Sequence, residues 1–291
     1  MKKMAVLSVH GMGETQRNYW SQFVAHLKKA LGPQFWSQIH FEPIYYQHLI
    51  QDNEYRVWNA MPRDLLAWKD LRKFLLFGFA DAGSLEHKAH QKNSVYVRTQ
   101  KIIRKSLQKA LSKLRNPQSP CVIIAHSLGC QVISNYIWDS NLAAPGGVWK
   151  FFPLDEIDET SLNFLKLKSL RLLFTTGCNI PLFVAGHNQI VAINKPNDNF
   201  EWYNFFDRDD VLGWPLKSLS PSYQLIVTED IEVNSGNLLE SWNPKSHTAY
   251  WRDAEVIGYI QGLMKDVLKQ EMNKEQDILY SATSSTDELD P

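Results

Sequence analysis

The stretch that most constrains how this chain can fold is Val122-Ile123-Ile124-Ala125-His126-Ser127-Leu128-Gly129-Cys130. Its short, β-branched, apolar start reads as a buried strand. The run breaks at Ser127, with Ala125 two residues before it and Gly129 two residues after it. Small residues at those places allow a strand-to-helix turn tight enough to push a serine hydroxyl out where a ligand can reach it. Alanine replaces the first glycine of the G-x-S-x-G pattern and still meets the size requirement. The expectation is a strand, a strained turn carrying Ser127, and a helix beginning at Leu128.

The rest of the chain supplies a sheet for that strand. Apolar runs at 4–9, 39–46, 170–176 and 202–206 read as further strands, and 223–227 is an ambiguous one. Helical patterns lie between them. Residues 14–31 set Trp20, Phe23, Val24, Leu27 and Leu31 on one face, and 98–114 do the same with Ile102, Ile103, Leu107, Leu111 and Leu114. Strands alternating with helices imply an α/β fold: a doubly wound, mostly parallel sheet with helices on both faces. With 291 residues, 44% of them hydrophobic, one domain over 1–272 has enough apolar material for a single core.

Two segments read as insertions. Residues 47–93 are rich in large apolar groups, with Leu65, Trp68, Leu71 and Leu75 at helical spacing. They suit a helical hairpin packed on the core, or a lid over the site that touches lipid. Residues 142–169 carry Pro145-Gly146-Gly147 and an acidic patch at 155–159. The last stretch, 273–291, is polar and loses periodicity at its end, which predicts a disordered tail.

Charge and cysteine usage narrow the partners. Lys plus Arg and Asp plus Glu both total 31, so no global field draws nucleic acid or an anionic membrane. The basic face of 98–114 reads as a solvated helix surface. No run of about 18 apolar residues predicts a transmembrane helix. Three cysteines in apolar contexts do not make a disulfide framework and argue for a reducing compartment, so a cytoplasmic location is expected. Oligomeric state is not legible.

A serine hydroxyl is a weak nucleophile until a neutral imidazole takes its proton, and that imidazole needs a carboxylate to fix its tautomer. The 202–206 strand is followed by Asp207-Arg208-Asp209-Asp210-Val211. Active sites form beyond the carboxyl ends of parallel strands. Asp209, in an Asp-x-Val pattern, is the expected acid; Asp210 is the runner-up, and Asp207 is expected to pair with Arg208. His247 is the only histidine after this cluster and so the expected base, whereas His187 precedes the acid. Negative charge on a carbonyl oxygen needs backbone N–H donors. Leu128 supplies one and Met12, in His10-Gly11-Met12-Gly13, the other, with His10, Gly11 and His126 bordering the substrate. That glycine loop matches neither a dinucleotide fingerprint nor a P-loop.

In this order the motifs resemble the α/β-hydrolase superfamily, and the pair His10-Gly11-Met12-Gly13 and Ala125-His126-Ser127-Leu128-Gly129 resembles its lipase/esterase-like branch. Thr175-Thr176-Gly177-Cys178-Asn179-Ile180-Pro181-Leu182-Phe183 resembles the strand-end loop such enzymes place beside the pocket. The resemblance spans about 4–270, with only the motifs specific. It implies a Ser-His-Asp triad with no metal and no cofactor. The expected function is hydrolysis of a carboxylic ester, small or lipid-like. Acyl transfer, thioester cleavage and a non-catalytic binding scaffold remain alternatives.

Overall fold

Six parallel strands make one sheet. β1 (Met4–Val9) lies between β2 (Ile39–Ile44) and β3 (Cys121–His126). β4 (Leu170–Thr176), β5 (Glu201–Phe206) and β6 (Glu229–Glu232) follow outward in chain order. The chain thus runs one way from β1 to β2 and the other way from β3 onward. The switch falls between β1 and β3, where a doubly wound sheet opens a crevice at its carboxyl ends. Val9 pairs with Ala125, so the loop leaving β1 and the turn leaving β3 emerge side by side. This computed structural model describes residues 1–86, 88–142, 144, 146–152, 157–234 and 246–284.

Helices cover both faces. The helices are α1 (Ser21–Trp36), α2 (Gln51–Ala60), α3 (Lys69–Ser84), α4 (Val95–Leu111), α5 (Leu128–Asn141), α6 (Glu159–Leu165), α7 (Ile180–Val184), α8 (Pro221–Ile226) and α9 (Ala254–Ser284). Side chains alternate along each strand, so a strand feeds two cores. Leu7, Val9, Ile123 and Leu173 pack with Ile103 and Leu107 of α4 and Ile133 and Ile137 of α5. Met4, Val6, Val122, Ile124 and Phe174 face the other way, onto Phe23, Leu27 and Leu31 of α1 and Val256, Ile260 and Met264 of α9. Each such side chain contributes roughly 1.5–3 kcal/mol by leaving water. Cys121, Cys130 and Cys178 are free thiols inside this interior.

Several expectations change. Within the 223–227 run, residues 223–226 are helical, as the end of α8, because Ser220 caps it through Tyr223 N–H and Pro221 opens its first turn; Val227 is its extended C-cap. The sixth strand is instead β6, whose sequence Glu-Asp-Ile-Glu carries no apolar run. The first long helix starts at Ser21, leaving 14–20 to the loop. α9 continues to Ser284, past the expected tail boundary at 273, through a stretch without Gly or Pro; residues 285–291 lie outside the described residues. The 142–169 insertion packs on α4 and α5 through a 3₁₀ turn, Gly147–Phe151, with Val148 and Trp149 buried. Gly147 has φ +51 and leaves no room for a Cβ beside Gln100 and Asp139. Residues 155 and 156 of its acidic patch lie outside the described residues, and Asp158 caps α6 through Ser161 N–H.

The 47–93 insertion is a helical pair, α2 and α3. Its apolar stripe points the wrong way for a core face. Leu65 and Trp68 are 84% and 77% exposed, and Leu71 and Leu75 are exposed too. Trp68 breaks the periodicity with φ +58, just before α3. The inward face of α3 is formed by Phe77, Gly78 and Asp81. Among the described residues no helix is long and apolar enough to cross a membrane.

Candidate active site

Ser127 sits between β3 and α5 with φ +52 and ψ −124, a backbone conformation that costs a non-glycine residue roughly 1–3 kcal/mol. Two hydrogen bonds hold it there. Ser127 N–H donates to the Thr176 carbonyl at 3.0 Å, and Cys130 N–H donates to the Ser127 carbonyl at 2.9 Å. The small residues around it answer to close approaches. A Cβ on Gly129 would lie 2.5 Å from the His10 carbonyl oxygen, because the start of α5 presses against the end of β1. A Cβ on Gly11 would lie 2.7 Å from the Ser127 Cβ. The turn does not raise the serine to the surface as expected: Ser127 is 1% exposed, with the Gly11 backbone lying against it.

His247 comes from a 3₁₀ turn, Ser246–Arg252, ahead of α9. Its Nδ1–H donates to Asp210 Oδ2 at 2.7 Å, both side chains being buried. The acid in contact with the imidazole is therefore Asp210, and Asp209 is exposed. The turn explains the difference. Asp209 N–H is tied to Asp207 Oδ1 at 2.9 Å and Asp210 N–H to the Asp207 carbonyl at 3.2 Å, so the chain curls once before its carboxylate turns inward. Arg208, expected to pair with Asp207, reaches Glu232 at 2.7 Å. Asp210 also accepts from the Tyr250 hydroxyl at 2.8 Å and from Leu212 N–H at 3.0 Å. Burial alone would raise its carboxyl, but the hydrogen bond and charge of His247, then Tyr250 and Leu212, hold it below the usual carboxylate range.

With Nδ1 committed to Asp210, His247 Nε2 is the ring atom left to accept a proton. Ser127 Oγ and His247 Nε2 are both buried and without a hydrogen-bond partner. Two further groups, one from the strand-end loop and one from the His247 turn, close around this pair. Gly177, at φ +52, brings the end of β4 against the imidazole; a Cβ there would lie 2.9 Å from His247 Cε1. Tyr250 joins the acid's turn to the base, donating to Asp210 and accepting from Asp207 N–H at 2.9 Å. It stands three residues after His247, and only the fold brings it to the carboxylate.

The two other histidines do not behave alike. His10 Nδ1–H donates to the Gly11 carbonyl at 2.8 Å, and its Nε2 accepts from Tyr46 N–H at 3.2 Å. The ring stacks on Tyr46 at 4.0 Å. Both nitrogens serve the loop, which requires a neutral ring, and burial lowers its pKa to about 4. His126 donates to the Thr176 carbonyl at 3.0 Å and packs on His247 with ring centroids 4.7 Å apart. Burial, then the neighbouring His247, lower its pKa to about 3. Neither histidine puts a second positive charge beside the base at neutral pH.

A cleft of about 720 Å³ opens over this arrangement, lined by His10, Gly11, Met12, Phe74, His126, His247 and Trp251 among others. Leu128 opens α5, where the first N–H groups of a helix have no partner within it, and Met12 is half-buried on the cleft wall. A larger cavity of about 870 Å³ lies along α5, walled by Leu128, Val132, Trp138, Phe183 and Tyr223, and is lined by none of Ser127, Asp210 and His247. The strand-end loop is thereby split: Gly177 serves the base and Phe183 this second cavity.

No family model matches the sequence, and no curated protein matches it either.

Proposed function

We propose that the chain is a serine hydrolase of the α/β-hydrolase type that cleaves a carboxylic ester, with Ser127, His247 and Asp210 as its triad. One observation carries the reading: a buried Nδ1–Asp210 contact leaves His247 Nε2 unpartnered beside a strained turn whose Ser127 Oγ is unpartnered too. Most buried imidazoles and hydroxyls find a hydrogen-bond partner, and here the two that lack one come from elements that meet at His126 and Thr176.

In the reaction, His247 Nε2 takes the proton of Ser127 as Oγ bonds to the ester carbon. Asp210 stabilises the resulting imidazolium without taking its proton. The Met12 and Leu128 N–H groups receive the carbonyl oxygen as it becomes negative, each donor supplying about 3–4 kcal/mol. The tetrahedral species collapses, the ester C–O bond breaks, and His247 returns its proton to the leaving alcohol. Water then repeats the sequence on the acyl-enzyme, releasing the acid and restoring Ser127.

The test is a panel of esters with varied acyl length, together with a fluorophosphonate probe, on wild type and Ser127→Ala. The expected result is probe labelling of wild type alone and a loss on the order of 10⁶-fold in kcat for the variant. Equal rates for the two proteins, or no labelling where an active lipase labels in the same buffer, would overturn the assignment.

A further inference from the structure

The loop that carries Met12 is gripped along its length by the helical insertion. Met12 Sδ lies over Gly78 of α3, where a Cβ would come within 2.8 Å of it. Gly13 N–H donates to Asp81 Oδ2, also on α3, at 2.7 Å. The Glu14 carboxylate accepts from Lys73 Nζ at 2.6 Å and from the Tyr55 hydroxyl. Thr15 N–H donates to Gln51 Oε1 of α2 at 3.1 Å. Four consecutive residues are thus held by one element that contributes nothing to the triad.

Asp81 is the innermost of these contacts. It is 0% exposed, and its other oxygen accepts from Gln47 Nε2 at 2.8 Å. The same amide nitrogen reaches Glu54 Oε2 at 3.4 Å. Among the described residues no ion pair reaches either carboxyl. Burial of a carboxyl without a cation is costly, and two such groups sharing one amide cannot both ionise cheaply. An arrangement of this expense on the far side of the sequence, 68 residues from Gly13, points to the hydrogen bond it makes. Gly13 has φ +92, and its N–H belongs to the peptide that follows Met12. Fixing that N–H inward pins the peptide plane next to the one that carries Met12 N–H, and so restrains how far Met12 N–H can swing.

We propose that Asp81 is a positioning residue for ester cleavage: by anchoring Gly13 N–H it sets the Met12 donor at the carbonyl oxygen, and the 47–93 insertion acts as the clamp on that loop. The inference rests on the hydrolase assignment above. It predicts an effect on the chemical step and little on ester binding, because oxyanion contacts strengthen as negative charge develops.

The experiment compares wild type, Asp81→Ala, Asp81→Asn and, as a control on the exposed start of α3, Asp70→Asn. Each is measured for kcat and KM on one ester and for amide hydrogen exchange of residues 10–15. Asp81→Ala should lose about 10²-fold in kcat with KM within about twofold, and the 10–15 segment should exchange faster. Asp81→Asn keeps an oxygen acceptor for Gly13 and should return to within about fivefold of wild type in kcat. Asp70→Asn should match wild type in both. Faster exchange in Asp81→Ala with kcat unchanged overturns the positioning role. So does unchanged exchange, or a loss in KM and folded signal that Asp81→Asn does not rescue. Ser127→Ala indistinguishable from wild type overturns the hydrolase assignment itself and this role with it. The exchange arm still reports whether Asp81 holds the loop.

Discussion

The Ser127 turn and the His247–Asp210 pair are built in opposite ways. Ser127 takes its strained backbone from a short run of sequence, with a positive φ and small residues at 125 and 129, and that turn is then fastened to the ends of β4 and β1 through Thr176 and Gly11. His247 and Asp210 stand 37 residues apart and meet only through tertiary packing, with Tyr250 and Gly177 closing around them. Local strain is written in a few contiguous residues. A network assembled from distant loops is not. The difference teaches which half of the site tolerates substitution: the serine half fails by steric clash, and the acid–base half by losing a single hydrogen bond.

The largest expected effect outside the serine falls on the acid. Asp210→Asn should lower kcat on the order of 10⁴-fold by presenting the wrong partner to Nδ1–H. If Asp209→Asn were the damaging variant instead, the two-part picture would break at its longest-range contact. Acid should come next. His10 is kept neutral in the fold with a pKa of about 4, while in the unfolded chain it takes a proton near 6.5. The unfolded chain therefore binds more protons between those values. Stability is full above pH 6.5 and declines as pH falls towards 4, by about 3 kcal/mol from this ring. Urea unfolding at pH 7 and pH 4.5 measures it, and His10→Gln should show a shallower slope.

A methyl group on the serine side should act through packing. Gly11→Ala, forced against Ser127, should cost about 1–3 kcal/mol of stability as well as activity, read by thermal unfolding beside kcat. On the other side, Tyr250→Phe removes one donor to Asp210 and leaves Asp207 N–H without its acceptor. A loss of about tenfold in kcat is expected, with the pH profile shifted because Asp210 is less well held. The smallest effect belongs to Asp209→Asn, within about twofold of wild type, since that side chain faces solvent.

Much of the scaffold was legible because buried parallel strands are written as continuous apolar runs. β1, β3 and β4 needed nothing more. β6 did not announce itself: three of its four residues are acidic, and it is a strand only because β5 pairs with it. The turn at Ser127 was readable from spacing alone, yet its burial was not, since burial depends on where Gly11 comes to rest. Among three neighbouring aspartates, pattern favoured Asp209, while the turn made by Asp207 delivered Asp210. The insertion misled for the same reason. Leu65, Trp68, Leu71 and Leu75 have the spacing of a buried face, but α3 turns Phe77, Gly78 and Asp81 inward and leaves that stripe outside.

Among the described residues the sheet ends at β2 on one side and at β6 on the other, and the two margins are guarded differently. β2 carries Pro43 in register with Ser8, a residue with no N–H to offer another strand. β6 presents the exposed carboxylate of Glu229, and its other exposed acid, Glu232, is paired with Arg208. A flat apolar margin would recruit passing chains when the protein is concentrated or slow to refold. A proline on one flank and acidic side chains on the other make either margin a poor template for a further strand.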